Sequence, residues 1–194
     1  MAVLLSVTGV VWLVLELGLI IRDRRHGTGG TSADRGTRTV NFLLIIAAVI
    51  AASAMGSALS SRSSLRLIPG TQPHGWPLIA GLVIIWIGLV LRVWSVHTLG
   101  ASFRTTVEVD QGQQVVTAGP YRWVRHPSYT GLLLTAAGFG LALATWPGLI
   151  LCVALPVAAL VHRIRVEEAE LGRVLGQQYQ QYQQHTCRLL PGLW

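Results

Sequence analysis

Lysine is missing from this chain: all fifteen of its basic residues are arginine. Charge of either sign is scarce, at 12% of residues against about 25% in an ordinary soluble domain. That scarcity excludes a solvated globular surface. The hydrophobic residues, 52% of the 194, run in long blocks, which indicates one compact integral membrane unit, residues 1–194. Cysteine occurs twice, at Cys152 and Cys187, too few and too far apart for a disulfide framework or a metal site. No metal is expected. The net charge of +7 lacks the clustered basic face with interleaved aromatics that nucleic-acid binders carry, so no nucleic-acid partner is expected either. The first apolar run has no basic residues before it and no clear cleavage site, and reads as a retained span rather than a removed signal.

Five apolar runs are present, at about residues 2–21, 41–60, 76–96, 129–146 and 147–162. A helix of about 20 residues crosses a bilayer core, so the spacing predicts an all-α membrane protein with five transmembrane helices. Trp146-Pro147-Gly148 is so short a connection that the last two spans should form a helical hairpin. In the first span Glu16 is expected to pair with, or snorkel toward, the Arg22–Arg25 cluster, and Arg92 in the third span to snorkel outward. Small residues at Ala47, Ala51, Ala54 and Ala58 predict a packing face on the second span. Val107–Asp110 reads as a short extended piece closing in a turn. Leu171, Val174, Leu175, Tyr179 and Tyr182 fall at helical spacing, so the last span should continue into an amphipathic C-terminal helix with a Gln-rich outer face. With the N-terminus outside, twelve arginines face inward and only Arg62 and Arg66 face outward. The positive-inside tendency therefore puts the Gly119–Gly131 stretch and the C-terminal tail on the cytoplasmic side.

Chemistry concentrates in Gly119–Gly131, G-P-Y-R-W-V-R-H-P-S-Y-T-G. Pro120 and Pro127 fix their own φ and push Gly119 and His126 out of helix, so the chain turns twice beside the membrane. Such backbone is tolerated only inside protein or at a wet cavity. A second polar group, Arg163-x-x-x-Glu167-Glu168, lies where the last span leaves the bilayer on the same side. Arg163 and Glu167, four apart, share a helix face and can either pair or flank one site.

These segments, with L-G-Q-Q-Y-Q-Q-Y and the terminal R-L-L-P-G-L-W, resemble the isoprenylcysteine carboxyl methyltransferase family, within a wider group that includes phospholipid N-methyltransferases. The likeness covers roughly residues 99–194. It implies an integral membrane enzyme that uses S-adenosylmethionine, releases S-adenosylhomocysteine, and holds the cofactor through a cytoplasmic loop. Carried over by position, Gln113, Gln114, Val115, Val116, Tyr121, His126, Pro127, Ser128, Tyr129, Glu167 and Glu168 would surround the cofactor. A histidine often stands in the family where this chain has Gln113, and Thr106 falls where some relatives place a glutamine. Arg163 would face the substrate, with Arg163, Glu167 and His126 as the catalytic set. The expected acceptor is a lipophilic or prenylated molecule entering from the membrane, most naturally an isoprenylcysteine carboxylate. An amine acceptor would need a base, for which His126 and Glu168 are the candidates. The R-H-P-x-Y turn also occurs in steroid-reductase-type membrane enzymes using NADPH, the second reading, though those commonly continue with Asn and Gly-Glu where this chain has Ser128 and Thr130-Gly131. The lysine-free, Arg- and Ala-rich composition suggests a prokaryotic plasma membrane, with the N-terminus outside and the active site on the cytoplasmic face.

Overall fold

Polar side chains point inward and apolar ones outward over much of this molecule. The computed structural model describes residues 2–26, 43, 45–54, 65–67, 75–100 and 115–190. Along the third helix Ile79, Val83, Trp86, Val90 and Val93 are all exposed, whereas Arg92 and Ser95 are buried. The first helix repeats the pattern, with Val3, Val7, Val10 and Val14 exposed around buried Thr8 and Glu16. Lipid accepts such a surface, and the few ionisable groups retreat to the helix interfaces.

The helices are α1 (Ala2–His26), α2 (Ile45–Ala54), α3 (Trp76–Leu99), α4 (Pro127–Ala142), α5 (Trp146–Leu175) and α6 (Gln177–His185). Three of them, α1, α3 and α5, are long and apolar enough to cross a membrane. The described part of α2 and the whole of α4 are shorter. The all-helical membrane class expected from the sequence is observed, and α5 continues well past the apolar run, as foreseen. Helix α4 starts two residues before the expected boundary and ends at Ala142; Thr145 then caps α5, its hydroxyl accepting from the Gly148 N–H at 3.3 Å. Trp146-Pro147-Gly148 is therefore the first turn of α5 and not the connection, because the first turn has no use for the N–H that Pro147 lacks. The tail is also not one continuous helix. Gly176, at φ 54°, separates α5 from α6.

Close packing centres on α3 and α4, which run antiparallel through facing glycines. A Cβ on Gly81 would lie 2.6 Å from the Gly138 carbonyl oxygen, and one on Gly88 would lie 2.5 Å from that of Gly131. The reciprocal distances are 2.7 Å for Gly138 and 2.6 Å for Gly131. With no hydrophobic drive between helices in lipid, such backbone approach supplies the attraction. Gly88→Val is accordingly expected to cost about 3 kcal/mol, seen as a lower melting temperature in detergent. Gly18→Ala, where nothing lies within 4 Å, should leave it unchanged. The small-residue face expected on α2 is offset by one position: Ile45, Ala48 and Ala52 are buried, while Ala47, Ala51 and Ala54 are exposed. Ala58, like the 107–110 segment, lies outside the described residues.

Two charged residues are paired differently from expectation. Glu16 reaches neither Arg22 nor solvent; both of its oxygens accept from Arg92, through Nε and through Nη2 at 2.6 Å. Arg92 does not snorkel either, being 7% exposed, and its Nη1 continues to the Ser128 hydroxyl at 2.7 Å and the Ser128 carbonyl at 3.2 Å. A bidentate partner within the bundle outcompetes a stretched reach to the interface. Arg22 instead donates to the Gly100 carbonyl at the end of α3. Thus the C-terminal ends of α1 and α3 and the start of α4 share one end of the bundle. Leu67, donating to the Ala144 carbonyl at 2.9 Å, marks the opposite end.

Candidate active site

The two turns dictated by proline are both present. Gly119 adopts φ 55°, a conformation glycine takes without strain, and Pro120 opens a single 3-10 turn over Gly119–Arg122. A Cβ at Gly119 would also fall 2.8 Å from the Thr98 hydroxyl. His126 is non-helical (φ −122°, ψ 55°) and caps α4, whose first residue is Pro127. Its carbonyl accepts from the N–H groups of Tyr129 and Thr130 at 3.0 and 3.1 Å.

A segment from the far end of the chain holds this turn. The N–H groups of Arg125 and His126 donate to the carbonyls of Cys187 and Arg188 at 2.8 and 3.0 Å, and that of Cys187 donates to Trp123 at 3.1 Å. The Thr130 hydroxyl donates to the Leu189 carbonyl at 2.7 Å. Cys187 thus forms a single parallel bridge with Val124, and the Arg188 and Leu189 carbonyls that follow accept from the histidine turn, which gives the terminal R-L-L a physical role.

Side chains of the turn then meet α5. His126 Nε2 lies 3.3 Å from Glu168 Oε1, and its Nδ1 lies 3.9 Å from Glu167 Oε1. The His126 and Tyr129 rings stack with centroids 5.5 Å apart and planes 9° from parallel. The Tyr129 hydroxyl donates to Glu167 Oε2 at 2.6 Å and accepts from Arg163 Nε at 2.8 Å, so one phenol ties Arg163 to Glu167. The proline-bracketed turn and the acidic root of α5 therefore converge, as the sequence suggested.

Adjacent glutamates on α5 are placed very differently. Glu168 accepts from Arg125 Nε and Arg188 Nε, each at 2.8 Å, with His126 beside it, and its side chain is 7% exposed. Glu167 engages Tyr129 yet keeps 28% of its side chain exposed. One carboxylate is consumed by the scaffold; the other faces the open side. Arg125 also donates to the Gln183 carbonyl at 3.1 Å and to the Thr186 carbonyl, clamping α6 under the turn. Tyr182 donates to the Tyr121 carbonyl at 2.6 Å. Burial pushes the Tyr182 phenol up to about 12, and burial reinforced by the Glu167 charge pushes Tyr121 up as well, so both stay neutral donors at working pH.

Among the expected site residues, Tyr121, His126, Pro127, Ser128, Tyr129, Arg163, Glu167 and Glu168 lie together at this end; Val115 and Val116 are half-buried just before the turn. Gln113, Gln114 and Thr106 lie outside the described residues. Arg125, Arg188, Tyr179 and the Glu16–Arg92 pair were not singled out for the site. The Tyr179–Tyr182 spacing was visible, but it signalled only an apolar stripe.

This chain has known counterparts. Residues 80–173 match the model of the "Isoprenylcysteine carboxyl methyltransferase (ICMT) family". Protein-S-isoprenylcysteine O-methyltransferase B of Arabidopsis thaliana is 30% identical over 150 residues, covering 76% of each chain. The Homo sapiens protein-S-isoprenylcysteine O-methyltransferase is 28% identical over 155 residues, 78% of this chain and 54% of its own. A solved eukaryotic intramembrane Ras methyltransferase superposes with a TM-score of 0.59 at 26% identity, over 80% of this chain and 52% of that one. This chain spans about half the length of that structure.

Proposed function

The chain belongs to the isoprenylcysteine carboxyl methyltransferase family, and from that premise we propose that it transfers a methyl group from S-adenosylmethionine to the carboxylate of an isoprenylcysteine-like, membrane-borne acceptor. The observation that carries this reading is the division of labour at the root of α5: Glu167 remains available beside Tyr129 and Arg163, while Glu168 is saturated by arginines.

The residues suit such a donor. The part-exposed Glu167 carboxylate fits its ammonium or ribose, and the stacked His126 and Tyr129 rings offer a flat aromatic wall beside a cation. Held beside Glu167 and the His126–Tyr129 rings, S-adenosylmethionine would supply an electrophilic methyl carbon on a sulfonium for the acceptor oxygen. The chain's own part is positioning and exclusion of water. Arg163, 5% exposed and steered by the Tyr129 hydroxyl, presents a guanidinium fork suited to a carboxylate. A carboxylate acceptor is already nucleophilic, so no base is required. His126, flanked by both glutamates, keeps the turn against α5.

Five spans with the N-terminus outside and the site on the cytoplasmic face accord with the shared end of α1, α3 and α4, and with the arginine asymmetry. The acceptor then enters sideways from the inner leaflet, and the cofactor from the cytoplasm. A prokaryotic plasma membrane rests on the lysine-free composition; the relatives described above are eukaryotic.

Labelled-methyl transfer into membranes supplied with a farnesylated cysteine analogue tests the reading. The expected product is base-labile, as an ester must be. A base-stable product would mean N- or S-methylation, and no transfer would end the methyltransferase reading.

A further inference from the structure

Among the described residues two buried polar atoms find no hydrogen-bond partner, Trp12 Nε1 and the Tyr179 hydroxyl. Trp12 belongs to the apolar packing of α1, its ring 5.8 Å from that of Phe139. That contact lies within the hydrophobic core and points to no ligand.

Tyr179 is different. It is the buried residue of an otherwise Gln-rich α6, only 3% exposed. Its helix is held under the histidine turn, where Arg125 donates to the Gln183 and Thr186 carbonyls and Tyr182 to the Tyr121 carbonyl, so Tyr179 sits on an element that packs against the site. Burial and the charges of Glu168 and Glu167 push the phenol up, so it remains a neutral O–H donor. Those contacts attach helix α6 without the Tyr179 hydroxyl. Tyr179 packs beside Tyr182 with ring centroids 6.1 Å apart, so a phenylalanine would fill its place equally well. A buried hydroxyl with no partner is a standing cost to the ligand-free fold. A residue that serves packing alone would not incur it.

We propose that the Tyr179 hydroxyl is a ligand-binding group, donating a hydrogen bond to a polar oxygen (carboxylate or ribose) of the methyl donor held between α5 and the histidine turn. The contact makes α6 one wall of the cofactor site. It rests on the methyltransferase reading above, and the same oxygens are present in S-adenosylhomocysteine.

The test is titration calorimetry with S-adenosylhomocysteine on the full-length protein in nanodiscs, wild type against Tyr179→Phe, with melting curves for both in the absence of ligand. Loss of one hydrogen bond should weaken binding by about tenfold. The ligand-free melting temperature should be unchanged or higher, because the substitution deletes an unpartnered polar atom, and the ligand-induced rise in melting temperature should shrink. Equal affinity in the two proteins overturns the inference. So does a lower ligand-free melting temperature at unchanged affinity, which would assign the hydroxyl to the scaffold. Wild-type protein that binds no S-adenosylhomocysteine at all overturns the functional reading and the inference with it.

Discussion

Glu167→Gln is expected to cut methyl transfer ten- to a hundredfold while leaving the protein folded, whereas Glu168→Gln, one residue on, is expected to act first on stability. The amide at position 167 can still accept from the Tyr129 hydroxyl, so the contact that aligns Arg163 survives. What disappears is a negative charge on the open side of the site. A charge-assisted hydrogen bond to a cationic ligand contributes about 1.5–3 kcal/mol, and that range sets the factor. The loss should appear in S-adenosylhomocysteine affinity as well as in turnover. At position 168 the charge balances two arginines in a largely dry setting, with side-chain exposures of 7% for Glu168 and 9% for Arg125. Removing one member of such a network costs about 3–5 kcal/mol, or on the order of 10 °C in melting temperature for a chain of this size. The turn, α5 and the 187–190 segment would loosen together, because Glu168 is where all three meet. Unchanged affinity in Glu167→Gln would remove it from the cofactor site. A thermally normal Glu168→Gln with weakened binding would exchange the two roles.

Those two neighbours show where sequence reasoning stops. Residue types and spacing sufficed to identify the histidine turn, the acidic root of α5 and the long spans, because prolines and apolar blocks act locally. Which glutamate would be free depended on Arg125 and Arg188, 43 and 20 residues away from Glu168. No local rule carries that information. The α3–α4 seam was missed for a related reason. Gly81 and Gly88 lie seven apart, and so do Gly131 and Gly138, yet only the antiparallel docking turns each glycine toward its counterpart. The alanines of α2 looked the better packing face, but Ala47 and Ala51 turn away from the bundle. Likewise Thr145 and Gly176 set the ends of α5 through backbone geometry that composition only hints at.

The buried pair between α1 and α3 leads to the other large effect. Glu16→Ala and Arg92→Ala should each lower stability by about 3–5 kcal/mol, since each leaves an uncompensated charge among buried groups. The side chains are only 6% and 8% exposed, and the arginine fork meets both carboxylate oxygens. Replacing both at once by apolar residues of similar size, Glu16→Leu with Arg92→Met, should recover most of that loss, because the desolvation penalty vanishes together with the attraction. Activity should not recover. Arg92 also donates to the hydroxyl and carbonyl of Ser128, two residues beyond His126, so it fixes the start of α4 against α3. In the double variant both Ser128 oxygens lose their Arg92 donor, and the His126–Tyr129 stack loses the anchor beside it. A misplacement of about 1 Å in a positioning-dependent reaction can cost on the order of a hundredfold. The pair therefore joins membrane packing to catalysis: α1 supplies Glu16, and through Arg92 it bears on the start of α4 beside the turn that holds the site. Melting curves and methyl transfer measured on all four proteins of the cycle separate the two consequences. If the single variants were additive and mild, Glu16 and Arg92 would be independent surface charges; if the double variant regained full activity along with its stability, the link to Ser128 would be incidental.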